Sequence, residues 1–455
     1  MSLLAFTFGL FLLGAAGVYF LLPAAVQPRW LLLCSLFYYG CADWRYLPFL
    51  LLSAATVWLA GLALERKPDA RLVPAAVLLL NLALLFAVKW LPRLAPALPA
   101  LPPVLGISFY TLQAVSYLVD LKKGRITAQP DPLHLLLYLC WFPIVLQGPI
   151  CRYGDLMPRL LKPHRFDPDR AASGLGLILW GLIRKLVIAD RLAPLVAQVF
   201  DYYYTLSAVT LMAGAAAYAV QLYADFSGCV AICRGASRLF GIELPENFAA
   251  PYGADSIKEF WRRWHMSLSG WLRDYVYIPL GGSRAGAVTK YRNLVLTFLV
   301  SGLWHGAGAQ YIAWGLLHGG YQAAGELTRP RRDALWAKTG RLKAIRPLLA
   351  RCVTFLLVCV GWVLFRAHGL RNGLAMLLRM TVRFAPGPLE LAPLTRPDLL
   401  LLAIGLALMA AVPRLPRVEN RAMRWAIYLL GILAVAVFGV YGPGFSANQF
   451  LYMGF

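Results

Sequence analysis

Apolar runs, most of them long enough to cross a membrane as helices, follow one another along this sequence. A helix needs about 20 apolar residues to cross the hydrocarbon core of a bilayer. Charged residues make up only 14% of the chain, whereas a soluble globular protein has about a quarter. The pattern therefore predicts an all-α polytopic membrane protein. The predicted spans are residues 3–22, 30–42, 47–64, 72–90, 104–120, 132–150, 173–190, 207–226, 290–304, 309–326, 347–366, 396–413 and 425–441.

Some of these runs are expected to enter the membrane and return on the same side. In residues 132–150, Pro143, Gly148 and Pro149 interrupt the backbone hydrogen bonds that a lipid-exposed crossing helix requires. The loop at 152–170 is basic, although a full crossing before it would place it on the non-cytoplasmic side. Allowing for such segments, the sequence predicts about eleven transmembrane helices together with re-entrant and interfacial amphipathic helices.

The basic residues, 44 against 21 acidic ones, lie in short clusters between the apolar runs. The loops at 65–71 and 122–125 are two such clusters, and because two spans separate them they lie on the same side. Basic loops of this kind mark the cytoplasmic side of a membrane protein. The net charge of +23 therefore indicates contact with anionic lipid headgroups and not with nucleic acid.

The eight cysteines give no sign of a metal site. Cys229 and Cys233 are one helical turn apart, but no histidine or acidic residue at ligand spacing accompanies them, so we predict no metal. Residues 3–22 lack the basic start and the small-residue cleavage motif of a signal peptide, and we interpret them as the first helix. Without a visible repeat or linker, residues 1–455 are predicted to form a single integral-membrane domain.

The stretch SGLWHGAGAQYIAWGLLHGG, at 301–320, places an ionisable side chain within an apolar region. His305 is expected at membrane depth, where ionisable residues are costly and usually functional. The glycines at 302, 306 and 308 allow the backbone around it to bend. Residues 294–320 are therefore predicted to form helices that hold a reaction centre. A purely structural hydrogen bond between helices is the alternative for His305.

Residues 229–284 are too polar to cross the membrane yet rich in aromatic side chains, and we interpret them as an interfacial or re-entrant segment. From Ser256 to Leu280, apolar side chains recur at spacings of three and four residues, which predicts one amphipathic helix. His265 lies at the edge of its apolar face. The alternative is an interfacial anchor whose tryptophans lie at the level of the headgroups.

Six motifs occur in the order that they have in the membrane-bound O-acyltransferase family, and they extend over about half of the chain. The sequence resembles the bacterial branch of this family, which includes the membrane protein of alginate O-acetylation and the protein of D-alanyl transfer to teichoic acid. The residues WRRWHMSLS look closer to the acetylating members. The motifs are GISFYTLQAVSYLVD (106–120), FPIVLQGPICR (142–152), YADFSG (223–228), LFGIELPENFAAPY (239–252), EFWRRWHMSLSGWLRDYVYIPLGGSR (259–284) and SGLWHGA (301–307).

The resemblance implies both the chemistry and the residues that perform it. The near-invariant histidine of the family corresponds to His305, a second polar position corresponds to His265, and family members often have a histidine at the position of His318. Acyl transfer from a thioester to a hydroxyl needs a base, and a neutral imidazole can take the hydroxyl proton. We therefore predict that His305 is the base and that His265 orients a substrate or stabilises the oxyanion.

The resemblance also implies a central tunnel, through which a donor on the cytoplasmic side meets an acceptor on the other side. The predicted donor is an acyl thioester, either acetyl-CoA or an acyl carrier protein, used as a co-substrate without a tightly bound cofactor. Arg262 and Arg263 are candidates for contact with donor phosphates, and lipid phosphate is their alternative ligand. Three other polar residues of the motifs, Asp225, Asn247 and Asp274, are interpreted as structural.

The first hypothesis is an O-acyltransferase that moves an acyl group, in the first instance acetyl, to a hydroxyl of an exported or cell-surface polysaccharide. The expected location is the bacterial inner membrane. The expected partners are membrane lipids, the donor, the polysaccharide and an extracytoplasmic esterase-like acyltransferase. D-alanyl transfer to teichoic acid from a carrier protein is the alternative within the class. A transporter or flippase is the alternative from another class, although the sequence lacks the internal symmetry common in transporters.

Overall fold

The structure, a computed structural model, describes residues 2–67, 69, 72–95, 103–284, 286–338, 344–412 and 418–440. Within these residues the regular secondary structure is helical throughout, without a β-strand. The predicted all-α class is therefore confirmed. Part of the basic loop at 65–71 and the last residues of the spans predicted at 396–413 and 425–441 lie outside the described residues.

The chain folds into two compact units. Of the described residues, the first unit contains those up to Leu182 and the segment Gly228–Pro245. The second unit contains Ile183–Ser227 and Glu246–Val440. Every residue proposed above for catalysis or donor contact belongs to the second unit. The single domain over residues 1–455 stays a prediction.

The first unit is built from helices around an aromatic core that includes Tyr38, Phe142 and Phe240. Its helices are α1 Phe6–Leu21, α2 Gln27–Gly40, α3 Leu47–Arg66, α4 Leu72–Lys89, α5 Leu91–Leu94, α6 Ile107–Lys122, α7 Pro132–Cys140, α8 Tyr153–Leu161 and α9 Pro168–Leu182.

The second unit begins with a π-helical segment, Ile183–Ala189. A second π-helical segment, Arg273–Tyr277, lies further along the chain. The helices that follow the first segment are α10 Asp190–Asp201, α11 Ala208–Leu239, α12 Ile257–Arg263, α13 Met266–Leu272, α14 Ala287–His305, α15 Ala309–Leu327, α16 Arg329–Ala337, α17 Arg346–Arg366, α18 Leu370–Met380, α19 Arg396–Ala411 and α20 Arg421–Phe438. Of α11, residues 208–227 belong to the second unit and residues 228–239 to the first.

Six helices in the described part of the chain are long and apolar enough to cross a membrane. They are Trp44–Arg66, Leu72–Lys89, Pro168–Asp201, Ala208–Leu239, Arg346–Arg366 and Arg421–Phe438. These helices agree with the predicted polytopic membrane protein. The count of about eleven crossings and the central tunnel stay predictions.

The segment predicted to dip into the membrane is interrupted where its sequence indicates. α7 begins after Asp131, whose carboxylate accepts a hydrogen bond from the backbone N–H of Leu133, and ends at Cys140. Its nine residues rise only about 14 Å, less than half the thickness of the hydrocarbon core. Residues 142–147 then form buried turns. The helix α7 is therefore too short to cross, in agreement with the prediction.

The interpretation of residues 229–284 as one interfacial or re-entrant segment is wrong at its start. α11 does not end near 226 but continues to Leu239, so Cys229 and Cys233 lie inside a 32-residue helix. The residues from 229 to 233 are apolar and compatible with a helix, and the chain turns only after Arg238. The guanidinium of Arg238 donates hydrogen bonds to the carboxylate of Glu243, which fixes that turn.

Candidate functional site

His305 is the last residue of α14, and only 6% of its surface is exposed. The helix ends there because the next residue, Gly306, has an extended backbone, and α15 begins at Ala309. The apolar stretch is thus broken at the histidine, as its glycines predict. The imidazole therefore lies at the end of α14, beside the turn that connects it to α15.

Three aromatic side chains surround the imidazole of His305. The ring centroids of Trp304, Phe365 and Trp314 lie 4.9, 5.0 and 5.2 Å from the imidazole centroid, at interplanar angles of 69°, 85° and 90°. Such edge-to-face contacts are favourable because the positive edge of one ring meets the negative face of another. The three side chains belong to α14, α17 and α15, so His305 lies where three helices meet.

The close packing of α14 against α15 depends on Gly302. A side-chain carbon at this position would overlap the carbonyl oxygen of Tyr311 in α15. Because glycine has no such atom, the two backbones approach closely enough for Trp314 to contact His305. Gly302 therefore affects the site because it sets the distance between α14 and α15.

The stretch from 256 to 280 is not the single amphipathic helix that the sequence predicts. α12 ends at Arg263, α13 begins at Met266, and the residue before α13, His265, has a backbone φ of +44°. This left-handed conformation costs a residue other than glycine about 1–3 kcal/mol. The apolar spacing continues across the turn, and for that reason it does not reveal the break.

Asn247 holds the turn at His265. Its backbone carbonyl accepts a hydrogen bond from the N–H of Met266 at 3.0 Å, and its side-chain oxygen accepts one from the N–H of Ser267 at 2.9 Å. Its side-chain nitrogen lies 3.2 Å from Nδ1 of His265. The predicted structural role of Asn247 is therefore confirmed. Its contact with a candidate catalytic residue was missed, since 18 positions separate the two and no local pattern relates them.

His265 is buried, with 2% of its surface exposed, and lies in the turn between α12 and α13, not at the edge of the apolar face of one helix as predicted. Its ring packs edge-on against Phe226, with the centroids 4.9 Å apart. Burial lowers the pKa of His265 to about 3, because its surroundings solvate the imidazolium poorly. The ring is therefore neutral near neutral pH.

A run of aromatic contacts connects the two candidate histidines within the second unit. Trp264, the neighbour of His265, lies 5.0 Å from Trp362, measured between ring centroids. Trp362 lies 5.7 Å from Phe365, which contacts His305. The two histidines that the resemblance assigns to one site thus border one aromatic cluster.

The two candidate donor-binding arginines lie at the end of α12 and share the carboxylate of Glu259. The side chain of Arg262 is 73% exposed and lies 3.4 Å from that carboxylate. Arg263 is 35% exposed and forms the shorter contact, at 2.8 Å. Arg262 is the more accessible of the two for an anionic ligand, and donor contact by either residue stays a prediction.

Asp225 does not close a span, as its place in the sequence suggested, but lies within α11. Nζ of Lys185 lies 2.6 Å from its carboxylate and 2.8 Å from that of Asp190. These contacts agree with the structural interpretation of Asp225. Asp274, also interpreted as structural, forms an ion pair with its neighbour Arg273, at 2.8 Å. Because a buried charge that loses its partner is costly, Asp225 contributes to the fold.

The cysteines of α11 have surroundings without metal-ligand geometry. The thiol of Cys229 donates a hydrogen bond to the side-chain oxygen of Gln147 at 2.8 Å. Across the described ranges, no group of three or more histidine, cysteine, aspartate and glutamate side chains is arranged to hold a metal ion.

The family model for the membrane-bound O-acyltransferase family matches residues 75–365 of the chain. This range contains His265, His305 and His318, together with Asn247 and the arginines of α12. The match therefore covers all the residues from which the site has been built.

Three relatives show what kinds of protein this chain resembles. The probable alginate O-acetylase AlgI of Pseudomonas fluorescens is 36% identical over 399 residues, which cover 84% of this chain and 75% of the relative. The peptidoglycan O-acetyltransferase of Helicobacter pylori is 34% identical over 421 residues, covering 82% and 78%. The teichoic acid D-alanyltransferase of Bacillus subtilis is 30% identical over 334 residues, covering 68% and 83%. With the family match and the apolar helices, these similarities show that the chain belongs to the membrane-bound O-acyltransferase family and is a multi-pass membrane enzyme that transfers acyl groups.

Proposed function

We propose that this O-acyltransferase moves an acetyl group from a cytoplasmic thioester to a hydroxyl of an exported polysaccharide, directly or through an extracytoplasmic partner, with His305 as the base. The observation that carries the proposal is the imidazole at the end of α14, buried among three aromatic rings in a membrane enzyme of this family. A base and a confined apolar site are what attack by a hydroxyl on a thioester requires.

The reaction balances without a cofactor. The hydroxyl oxygen attacks the thioester carbonyl carbon while the imidazole of His305 takes the hydroxyl proton. The new carbon–oxygen bond forms, the carbon–sulfur bond breaks, and the imidazolium returns the proton to the departing thiolate. Such a base contributes about 10² to 10⁴ in rate, and holding the two substrates together contributes several kcal/mol more.

His265 has a different part in this scheme. Because burial keeps its ring neutral, it provides a fixed N–H dipole and not a positive charge. Asn247 sets the orientation of that dipole through its contact with Nδ1. A neutral donor held in this way is suited to orienting a substrate or stabilising the oxyanion.

Acetyl is favoured over D-alanyl because the two O-acetylating relatives match more of this chain, 84% and 82%, than the D-alanyltransferase does, 68%. Acetyl-CoA and an acetylated carrier protein are both suitable donors, and Arg262 is the exposed cation nearest in sequence to His265 for meeting a donor phosphate. The enzyme would then work in the inner membrane, between a cytoplasmic donor and an exported polymer, together with an esterase-like acyltransferase outside.

The test is transfer by the purified protein in lipid vesicles, with acetyl-labelled acetyl-CoA on one side and polysaccharide fragments on the other. We expect labelled ester on the polysaccharide and an equal amount of free CoA. His305→Ala, compared per amount of folded protein, should lower both by about 10²-fold or more, whereas His368→Ala, at an exposed position, should not. Movement of an intact thioester would support a transporter, and activity with only a D-alanyl carrier thioester would support the other alternative.

A further inference from the structure

His318 is a third buried histidine of the second unit, and the proposed mechanism gives it no role. It lies in α15, about one turn after Trp314, and 0% of its surface is exposed. Its ring centroid lies 5.1 Å from that of Trp314 and also 5.1 Å from that of Trp261 in α12. His318 therefore connects the helix that contacts His305 with the helix that leads to His265.

The hydrogen bond of His318 determines its protonation state. The indole N–H of Trp261 donates to Nδ1 of His318 at 3.2 Å. Since an indole can only donate, Nδ1 must carry a lone pair, and the ring is neutral with its proton on Nε2. Nε2 is buried and has no hydrogen-bond partner among the residues that the structure describes. Nδ1, the acceptor nitrogen of this ring, already accepts the hydrogen bond from Trp261. The ring is therefore unsuited to act as the base, but it can hold Trp261 in place.

The other side of the imidazole faces α17. A side-chain carbon at Gly361 of that helix would overlap Nε2 of His318. The ring of His318 therefore fits against α17 only because residue 361 is a glycine. Residues of three helices, α12, α15 and α17, pack around this ring. In a close-packed interior, a displaced ring at such a junction moves its neighbours.

The two indoles beside His318 lead to the two candidate catalytic histidines. Trp314 meets the ring of His305 at 90°, with the centroids 5.2 Å apart. Trp261 belongs to α12, which ends two residues before His265. The two indoles also contact each other, with centroids 5.5 Å apart. The placement of His318 therefore bears on both parts of the site.

We propose that His318 is a positioning residue for acyl transfer: its hydrogen bond from Trp261 and its contact with Trp314 hold the rings of His305 and His265 in their working arrangement. The inference rests on the proposed function. His318 itself does not contact the donor or the acceptor. What the site requires at this position is a hydrogen-bond acceptor in the place of Nδ1, and not merely a side chain of the right volume.

Four variants separate these requirements. His318→Leu keeps much of the volume and removes the acceptor, His318→Asn places an amide oxygen near the position of Nδ1, and Trp261→Phe removes the donor. The double variant Trp261→Phe/His318→Leu removes both. The vesicle assay with acetyl-CoA gives kcat and KM, and thermal unfolding is recorded for each protein. Matched controls are His368→Asn and Trp425→Phe, at side chains that are 60% and 51% exposed.

We expect His318→Leu to lower kcat by about 10- to 100-fold with an unchanged KM for acetyl-CoA, since small displacements of catalytic groups have effects of this size. His318→Asn should retain most of the wild-type kcat. The double variant should be no slower than His318→Leu, because the two residues act through one hydrogen bond.

Three results would overturn the inference. If His318→Asn is as inactive as His318→Leu, the imidazole itself takes part in the chemistry. If His318→Leu lowers only the amount of folded protein, the residue serves packing alone. If the effects of the two single variants add, no hydrogen bond couples them. A failure of the proposed function gives a different result from all three: wild-type protein itself then leaves acetyl-CoA intact. In that case the proposed function and the inference about His318 are both wrong.

Discussion

His305 and His265 are both buried histidines of the second unit, but they are held in different ways. Aromatic rings from three helices enclose His305 at a helix end, whereas hydrogen bonds from Asn247 hold His265 and the backbone turn on which it lies. Ring contacts place the imidazole of His305 within the aromatic cluster, whereas the contact of Asn247 with Nδ1 also orients the ring of His265. The proposed roles are a base at His305 and a fixed neutral group at His265.

His305→Ala has the largest expected effect on turnover. Loss of the base should lower kcat by about 10² to 10⁴ in the folded protein, and the cavity left by the ring should lower the thermal stability as well. The measurement is release of free thiol from acetyl-CoA in the presence of acceptor. A near-normal kcat in this variant would place the base elsewhere and remove the distinction between the two histidines.

His265→Ala should lower kcat by about 10²-fold, the effect of losing one fixed donor to the oxyanion. His265→Asn is the matched variant, since asparagine also adopts the left-handed conformation that this position requires. Both variants should lose turnover, but only His265→Ala should also lose thermal stability. Unchanged turnover in His265→Asn would leave the residue as a structural anchor.

Asn247→Ala tests whether Asn247 stabilises both the turn before α13 and the orientation of the His265 ring. The variant removes the hydrogen bond that the side chain of Asn247 accepts from the N–H of Ser267, which should cost about 1 kcal/mol of unfolding free energy. Turnover should fall by about tenfold as His265 loses its orientation. Combining Asn247→Ala with His265→Ala should cost less than the sum of the two effects. Additive losses would show that Asn247 does not act through His265.

The low pKa of His265 should make the free energy of unfolding depend on pH in the acid range. In the unfolded chain His265 takes up a proton below about pH 6.5, but in the folded protein only near pH 3. As the pH falls through this window, the unfolded state binds the extra proton, so the free energy of unfolding decreases by about 1.4 kcal/mol per pH unit. Above about pH 6.5 this contribution is constant.

His265→Asn provides the control for that dependence, since it has no imidazole at this position. Denaturant unfolding of the wild type and of this variant, compared across the acid range, should show a steeper loss of stability in the wild type. Equal slopes in the two proteins would mean that the ring at 265 can be protonated in the folded state.

Arg262→Gln has the smallest expected effect. Contact of an exposed arginine with a donor phosphate is worth up to about 1 kcal/mol, so KM for acetyl-CoA should rise by about fivefold or less at low salt, with kcat unchanged. Arg263→Gln, at the less exposed neighbour, should change KM less. An unchanged KM for Arg262→Gln would leave lipid phosphate as the ligand of this arginine.

The sequence by itself determined the class of protein and predicted a buried histidine at 305. Hydropathy and run length are local properties, and they predicted a protein of long apolar helices, the interruption after Cys140 and the buried position of His305 beside Gly306. The sequence also identified His265, but through a family resemblance and with the wrong local structure. A periodic apolar pattern says which face of a helix is buried and does not say where the backbone leaves the helix.

Only the tertiary structure decided the partners of the polar side chains. Asn247 meets His265 across 18 positions of the chain, Lys185 meets Asp225 across 40, and Trp261 meets His318 across 57. Such contacts depend on how the helices pack and on how far individual side chains extend. The spacing of residues in the sequence indicates neither. For that reason the apolar framework could be predicted and the hydrogen bonds that arrange its reactive groups could not.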